Sequence, residues 1–136
     1  MNKPLEEFET PLLRLLDANI NRLREGIRVV EDIRRYCFDD EITAKALKEI
    51  RHKVRLEPYT AILKTRDIEN DVLKTTTKSE SSREDLNSMQ TANIKRAQES
   101  ARVLEEALKL YSAEDAEKFK EIRYALYAIE KKISEK

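Results

Sequence analysis

Apolar residues recur at helical spacing along most of the chain. Leu16, Leu23, Val30 and Cys37 follow one another at seven-residue intervals, which returns side chains to one face of an α-helix. Leu12 to about Tyr36 therefore reads as one long helix, with Thr10 as N-cap and Pro11 in the first helical position, a pairing that suits an N-terminal turn. Asp39 and Asp40 break and recap the pattern. A second helix follows from about Glu41 to Leu56, with Leu47, Ile50 and Val54 on its stripe, and Pro58 ends it. A short helix is predicted over Tyr59–Lys64. A further long helix runs from about Arg83 to near Tyr111, and Ser112–Asp115 opens the last one in the manner of a capping box. That helix carries Phe119, Ile122, Leu126, Ile129 and Ile133 as a heptad seam. The expected fold is all-α, without a sheet.

The polar positions hold a second pattern. Ala18-Asn19-Ile20-Asn21-Arg22 begins a stretch that reads A-N-I-x-R-x-x-E-x-x-R-V-x-E-[DE], and the same stretch returns at Ala92-Asn93-Ile94-Lys95-Arg96. The offset is 93 − 19 = 74. Helical patterning alone would keep the apolar letters and scramble the polar ones. Lys48-Glu49-Ile50-Arg51 also returns, as Lys120-Glu121-Ile122-Arg123, at an offset of 120 − 48 = 72. The duplicated unit is thus a helical hairpin. The expected architecture is a bundle of two such hairpins related by a pseudo-twofold axis, in one domain over residues 1–136. Repeat one covers about 10–57, a connecting segment 58–82, and repeat two about 83–136. Asn19, Arg22 and Gly26 lie beside the apolar stripe, where burial of polar groups is costly unless they are paired or hold a ligand. An Asn/Arg/Glu network that satisfies itself is one reading, and two copies in register favour a functional one. Gly26 costs about 1 kcal/mol against Ala in mid-helix, so a close approach by a helix or a ligand is expected there. Ser100 is its small counterpart.

Composition narrows the chemistry. A length of 136 residues suits one domain with a real core, and 40% charged residues with one Gly and three Pro suit a soluble helical protein. The 27 basic and 27 acidic residues cancel, which weakens any case for nucleic-acid or anionic-membrane binding. Cys37 is alone, so it forms no internal disulfide and reads as a core residue. The first residues lack the apolar core of a signal peptide and no apolar run matches a membrane span, so a cytoplasmic location is expected. A single glycine excludes a Walker A loop and a dinucleotide fingerprint. Phosphates would have to be held by Arg, Lys and helix N-termini.

Arg22, Arg28, Arg51, Arg66, Arg96 and Arg102 are candidate phosphate holders, since a guanidinium offers a planar fork of donors. Glu31, Asp32, Asp67, Asp71, Glu105 and Glu106 are candidate carboxylates for Mg²⁺ or for a general base. His52 beside the repeated Arg51 reads as structural. Thr65–Ser82 is polar, aperiodic and too long for a casual turn. Composition alone makes it a linker, yet Asp67 and Asp71 stand four apart and could share a divalent cation. Residue chemistry alone gives a helical bundle with a candidate anion or phosphate site between its repeats.

The two motifs, together with Leu47-Lys48-x-x-Arg51-His52 and Arg66-Asp67-x-x-x-Asp71-Val72, resemble the all-helical hydroxymethylpyrimidine phosphate kinases of thiamine biosynthesis. That family occurs alone or fused in front of thiamine-phosphate synthase, and the resemblance covers Leu12 to Lys132. It implies a kinase that moves the γ-phosphoryl of ATP, with Mg²⁺, to 4-amino-5-hydroxymethyl-2-methylpyrimidine phosphate. Carried residue by residue, it assigns catalysis to Arg66, Asp67 and Asp71. Substrate and phosphate binding falls to Asn19, Arg22, Glu25, Arg28, Arg51, His52, Asn93, Arg96, Glu99 and Arg102. The metal falls to Asp67, Asp71, Glu31, Asp32, Glu105 and Glu106. Leu73 departs from the family's Gly after the Asp-Val pair, which removes a permissive backbone position. Two other readings compete: a non-catalytic binding module partnering thiamine-phosphate synthase, and a structural helical adaptor. A homodimer is expected, and the segment from Asp67 to Ser82 is expected to close over bound substrate.

Overall fold

The computed structural model describes residues 10–56, 62–77 and 82–135. Over these residues the chain is all-α, with no strand. Helix α1 spans Thr10–Asp32 and runs into a π-helical turn, Ile33–Cys37. Helix α2 spans Glu41–Lys53, α3 Leu86–Leu108 and α4 Ala113–Ser134. Three of the helices begin on side-chain caps. The Asp40 carboxylate accepts the Thr43 N–H at 3.1 Å, Asp85 accepts that of Ser88 at 2.7 Å, and the Ser112 hydroxyl accepts that of Asp115 at 3.3 Å. Each satisfies an N–H group that the first turn cannot. Thr10, expected as a cap, is instead the first residue of α1.

Helix α2 is three residues shorter than its apolar stripe suggests. The Val54 N–H bonds the Arg51 carbonyl at 3.1 Å in a tight last turn, yet Val54 and Leu56 remain buried beyond the helix. Burial there persists without helical backbone, so the apolar pattern overran the element. Ile62 and Leu63 are helical before a turn at Lys64–Thr65, and the rest of the short helix expected over 59–64 begins outside the described residues, as do Pro58 and the lead-in at 1–9.

The π turn corrects another expectation. Cys37 is exposed rather than part of the core. A π turn spends more residues on each revolution than an α turn, so the register slips and the residue seven after Val30 no longer points inward. Arg34 turns inward instead and is only 3% exposed. Its guanidinium donates to Asp40 at 2.8 and 3.1 Å and to Gln90 at 3.3 Å, and it lies 4.4 Å from the Phe38 ring centroid.

Helices α1 and α3 form the centre, with α2 packed on α1 and α4 on α3. Leu16, Leu23, Ile27, Val30, Leu47, Leu104, Leu108, Phe119 and Leu126 fill the core. The central pair runs antiparallel, since Gly26 meets Asn93 and Ala97 while Asn19 and Arg22 share a cleft with Ser100 and Val103. A Cβ at Gly26 would lie 3.0 Å from the Asn93 carbonyl oxygen and 3.3 Å from the Ala97 Cβ. Helix contact, not a ligand, therefore requires the glycine.

Candidate functional site

The repeated polar letters divide into those tied within the protein and those left untied. The first asparagine is tied to the preceding turn in both copies: Asn19 donates to the Leu15 carbonyl at 2.9 Å and Asn93 to that of Met89 at 2.8 Å. The last shared glutamate is tied across each hairpin. Arg51 donates to the two oxygens of Glu31 at 2.7 and 3.3 Å, and Arg123 donates to one oxygen of Glu105 at 2.8 and 3.0 Å. All four side chains are nearly buried. The bond from Glu31 raises the Arg51 pKa. That of Arg123 is raised first by its bond to the Tyr127 hydroxyl and then by Glu105. The second arginine of the motif is also engaged: Arg28 faces Asp32 at 3.4 Å, and Arg102 faces Glu106 at 2.9 Å and Glu105 at 3.5 Å.

The first arginine and first glutamate are different. Among the described residues Arg22, Arg96, Glu25 and Glu99 make no hydrogen bond or ion pair. Arg22, Arg96 and Glu99 line a cavity of about 360 Å³ with Asn19, Ser100 and Val103. Asn19 and Arg22 also line a larger open cavity of about 860 Å³, which takes in Arg14, Asp17, Asn21, Glu25 and the segment from Arg66 to Lys74. The two cavities meet at Asn19 and Arg22. Arg14 and Lys74 add positive charge on one side of Arg22, and Arg96 adds it on the other.

The wall opposite α1 is the connecting segment, and its local bonds give it a defined shape. Arg66 directs its fork at Asp17, Nε to one carboxylate oxygen and Nη2 to the other, both at 2.8 Å. Asp17 is 4% exposed, so burial would be costly without that partner. Asp67 accepts the Asn70 side-chain amide at 2.8 Å and its backbone N–H at 3.1 Å, and these bonds, the side-chain one foremost, hold its carboxyl below the usual range. Asp71 accepts the Leu73 N–H at 3.0 Å, and Lys74 donates to the Glu69 carbonyl at 2.7 Å.

This geometry brings together Asn19, Arg22, Glu25, Arg66, Asp67 and Asp71 in the larger cavity, and Arg96 and Glu99 in the smaller one. Arg28, Arg51, His52, Asn93 and Arg102 line neither. The carboxylates expected to hold Mg²⁺ do not gather. Glu31, Asp32, Glu105 and Glu106 sit in ion pairs, and Asp67 and Asp71 cap their own segment. Among the described residues no three His, Cys, Asp or Glu side chains form a metal-holding group. Asp17, Arg14, Asn21 and Lys74 escaped the reading of the sequence. Asp17 has no acidic counterpart in repeat two, where Thr91 stands at the same offset, so the search for repeated letters passed over it. The position of Asp17 one turn before Asn21 was the available signal.

Residues 14–132 match the ThiD2 family. Curated relatives carry the name thiamine-phosphate synthase. The one from Synechocystis is 36% identical over 122 residues, covering 89% of this chain and 36% of the relative. That from Rhodopirellula baltica is 37% identical over 122 residues, covering 86% and 32%, and that from Thermosynechococcus vestitus 34% over 124 residues, covering 90% and 35%. The chain spans about a third of the length of these relatives. No solved structure matches significantly. These names correct the expected activity. The relatives are thiamine-phosphate synthases, a different reaction from that of a pyrimidine kinase, and they support neither that kinase nor a non-catalytic module partnering the synthase. The resemblance holds at the level of a thiamine-biosynthesis domain, while the kinase activity drawn from it does not. No helix among the described residues is long and apolar enough to cross a membrane.

Proposed function

The chain belongs to the ThiD2 family and is a thiamine-biosynthesis domain, and from that premise we propose that it serves the formation of thiamine phosphate by binding a phosphate ester in the cleft beside α1. One observation carries the reading. Among the described residues Arg22 stands unpaired where two cavities meet, with Arg14, Lys74 and Arg96 around it. An unpaired guanidinium in a cleft can offer its whole fork to phosphate oxygens, in charge-assisted bonds about twice as strong as neutral ones. Glu25 and Glu99, equally unpaired, suit the cationic ring of a thiamine-like ligand, so one cleft holds counter-charges for both ends of such a molecule.

Calorimetric titration of the purified chain with thiamine phosphate and with thiamine tests the reading. The phosphate ester is expected to bind at least tenfold more tightly, and Arg22→Ala to abolish that margin while Lys48→Ala preserves it. Equal affinity for the two compounds, or a margin unchanged in Arg22→Ala, would overturn the proposal.

A further inference from the structure

The larger cavity has an apolar end to which the phosphate-ester reading gives no task. Pro11, Leu15, Ala18, Arg22 and Glu25 all line that cavity. They follow one another at intervals of four, three, four and three residues, which makes them one stripe along α1. The stripe is apolar from Pro11 to Ala18 and charged from Arg22 onward. Leu15 and Arg22 are seven residues apart, or about 10 Å along the helix axis. Across the cleft, Ile68 and Leu73 of the connecting segment line the same cavity. They are 74% and 84% exposed, so little among the described residues covers them. Val72 is 93% exposed but does not line the cavity.

The charges near this end are already matched. Arg66 holds Asp17 with both arms of its fork. The Asn70 bonds foremost, and Arg14 after them, lower the Asp67 carboxyl pKa, which sets Arg14 near that carboxylate. What this end offers a ligand is therefore apolar surface. The segment is also built to shift as a unit. Among the described residues every hydrogen bond of 67–74 stays inside it: Asn70 to Asp67, the Leu73 and Lys74 N–H groups to Asp71, and the Lys74 amine to Glu69. None of these joins it to a helix. Its tie to α1 is the preceding Arg66, so a closure that keeps Arg66 on Asp17 breaks none of these bonds.

We propose, resting on the phosphate-ester reading, that segment 67–74 settles over the ligand and that Ile68 and Leu73 recognise its neutral ring, pressing it against Pro11 and Leu15. The ligand class narrows accordingly to phosphate esters with an uncharged ring about 10 Å from the phosphate, the separation of Leu15 from Arg22. Thiamine phosphate has that form, since its neutral pyrimidine ring lies beyond the thiazolium, at the end away from the phosphate. Settling onto the ring removes the two exposed side chains from water, which favours closure. Excluding water from a bound ligand is the ordinary work of such segments.

Calorimetric titration of the full chain with thiamine phosphate, joined to amide exchange, tests the proposal. Ile68→Ser and Leu73→Ser should each weaken binding about fivefold or more. Both positions are exposed in the free protein, so the fold is spared. Ile68→Leu and Leu73→Ile, which keep an apolar side chain, should stay within about twofold of the parent, as should Val72→Ser. Exchange over 67–74 should slow about tenfold or more when thiamine phosphate is saturating. Suppose thiamine phosphate binds through Arg22, yet the two serine variants keep parent affinity, Val72→Ser weakens binding as much as they do, or exchange over 67–74 is unchanged. Any of these outcomes overturns ring recognition and leaves the phosphate-ester reading standing. Absence of binding, or binding indifferent to Arg22→Ala, overturns that reading and this proposal with it.

Discussion

The two hairpins share their internal bonds and differ in what surrounds them. Glu31–Arg51 and Glu105–Arg123 are the same cross-hairpin pair, and Asn19 and Asn93 make the same bond to the turn before them. Around repeat one the chain folds back and fastens Arg66 to Asp17, which forms a walled cleft. In repeat two Thr91 stands where Asp17 does, and Gln98, the counterpart of Arg24, donates to Glu130 of α4 rather than to non-helical backbone. Repetition of a polar letter is therefore a poor guide to binding. The tied letters preserve the hairpin, whereas the untied Arg22, Arg96, Glu25 and Glu99, and the unmatched positions Asp17/Thr91 and Arg24/Gln98, shape the surfaces.

The largest expected effect tests the shared pair. Removing one partner of a buried ion pair leaves an uncompensated charge and costs about 3–5 kcal/mol. Arg51→Met and Arg123→Met should each destabilise by about 3 kcal/mol or more in urea titrations. A cost near zero for one and large for the other would break the equivalence of the hairpins.

The helix crossing should respond less, and unequally. Alanine at position 26 gains about 1 kcal/mol of helix propensity, but its Cβ meets a backbone carbonyl that cannot rotate away. Overpacking of this kind costs about 1–3 kcal/mol, so Gly26→Ala should show a net loss in thermal melting. Ser100→Ala, which adds no atom, should stay within about 1 kcal/mol. A Gly26→Ala protein more stable than the parent would show that the helices can part.

Tied and untied arginines should separate in ligand binding. Arg22→Ala should weaken thiamine phosphate about tenfold, or roughly 1.4 kcal/mol, with little change in melting temperature. Arg28→Ala, which removes only an exposed pair with Asp32, should leave affinity within about twofold in the same calorimetry.

The smallest effect concerns acid. Burial raises the Asp40 carboxyl pKa, but the Thr43 N–H and the Arg34 guanidinium outweigh it and hold the group well below its ordinary range. A carboxyl depressed in the folded state contributes stability that is present above its unfolded pKa and lost as pH falls below about 4. Ser112, the cap at the same place in repeat two, does not titrate. Amides of α2 should therefore lose hydrogen-exchange protection before those of α4 as the pH is lowered through that range, and Asp40→Asn should flatten the difference. Simultaneous loss would mean that the caps do not govern acid sensitivity.

Periodicity and capping chemistry made the four helices legible, because each is decided by residues within a turn or two. Asp40 and Ser112 announced the starts of α2 and α4 locally. The end of α2 was not legible, since Val54 and Leu56 keep the apolar pattern while the backbone leaves the helix. The π turn was equally hidden, for nothing in Ile33–Cys37 marks an extra residue per revolution. At the site, the repeat singled out Asn19, Arg22, Arg96 and their glutamates, and these residues line the two cavities. It could not separate Arg22 from Arg51, because only the folded hairpin shows that Glu31 occupies Arg51 and that no described residue occupies Arg22. Arg66 was noticed but its partner was not, as Asp17 lies 49 positions away.

The π turn also leaves the molecule with a built-in attachment point. Cys37 is the sole thiol of the chain and faces solvent where α1 gives way to α2. A maleimide dye or spin label would therefore couple at one place without any cysteine being added or removed. It would sit beside Phe38 and the Arg34–Asp40 contact, at the seam between the first two helices. Loosening of that seam could then be followed in real time by spectroscopy on the otherwise unaltered chain.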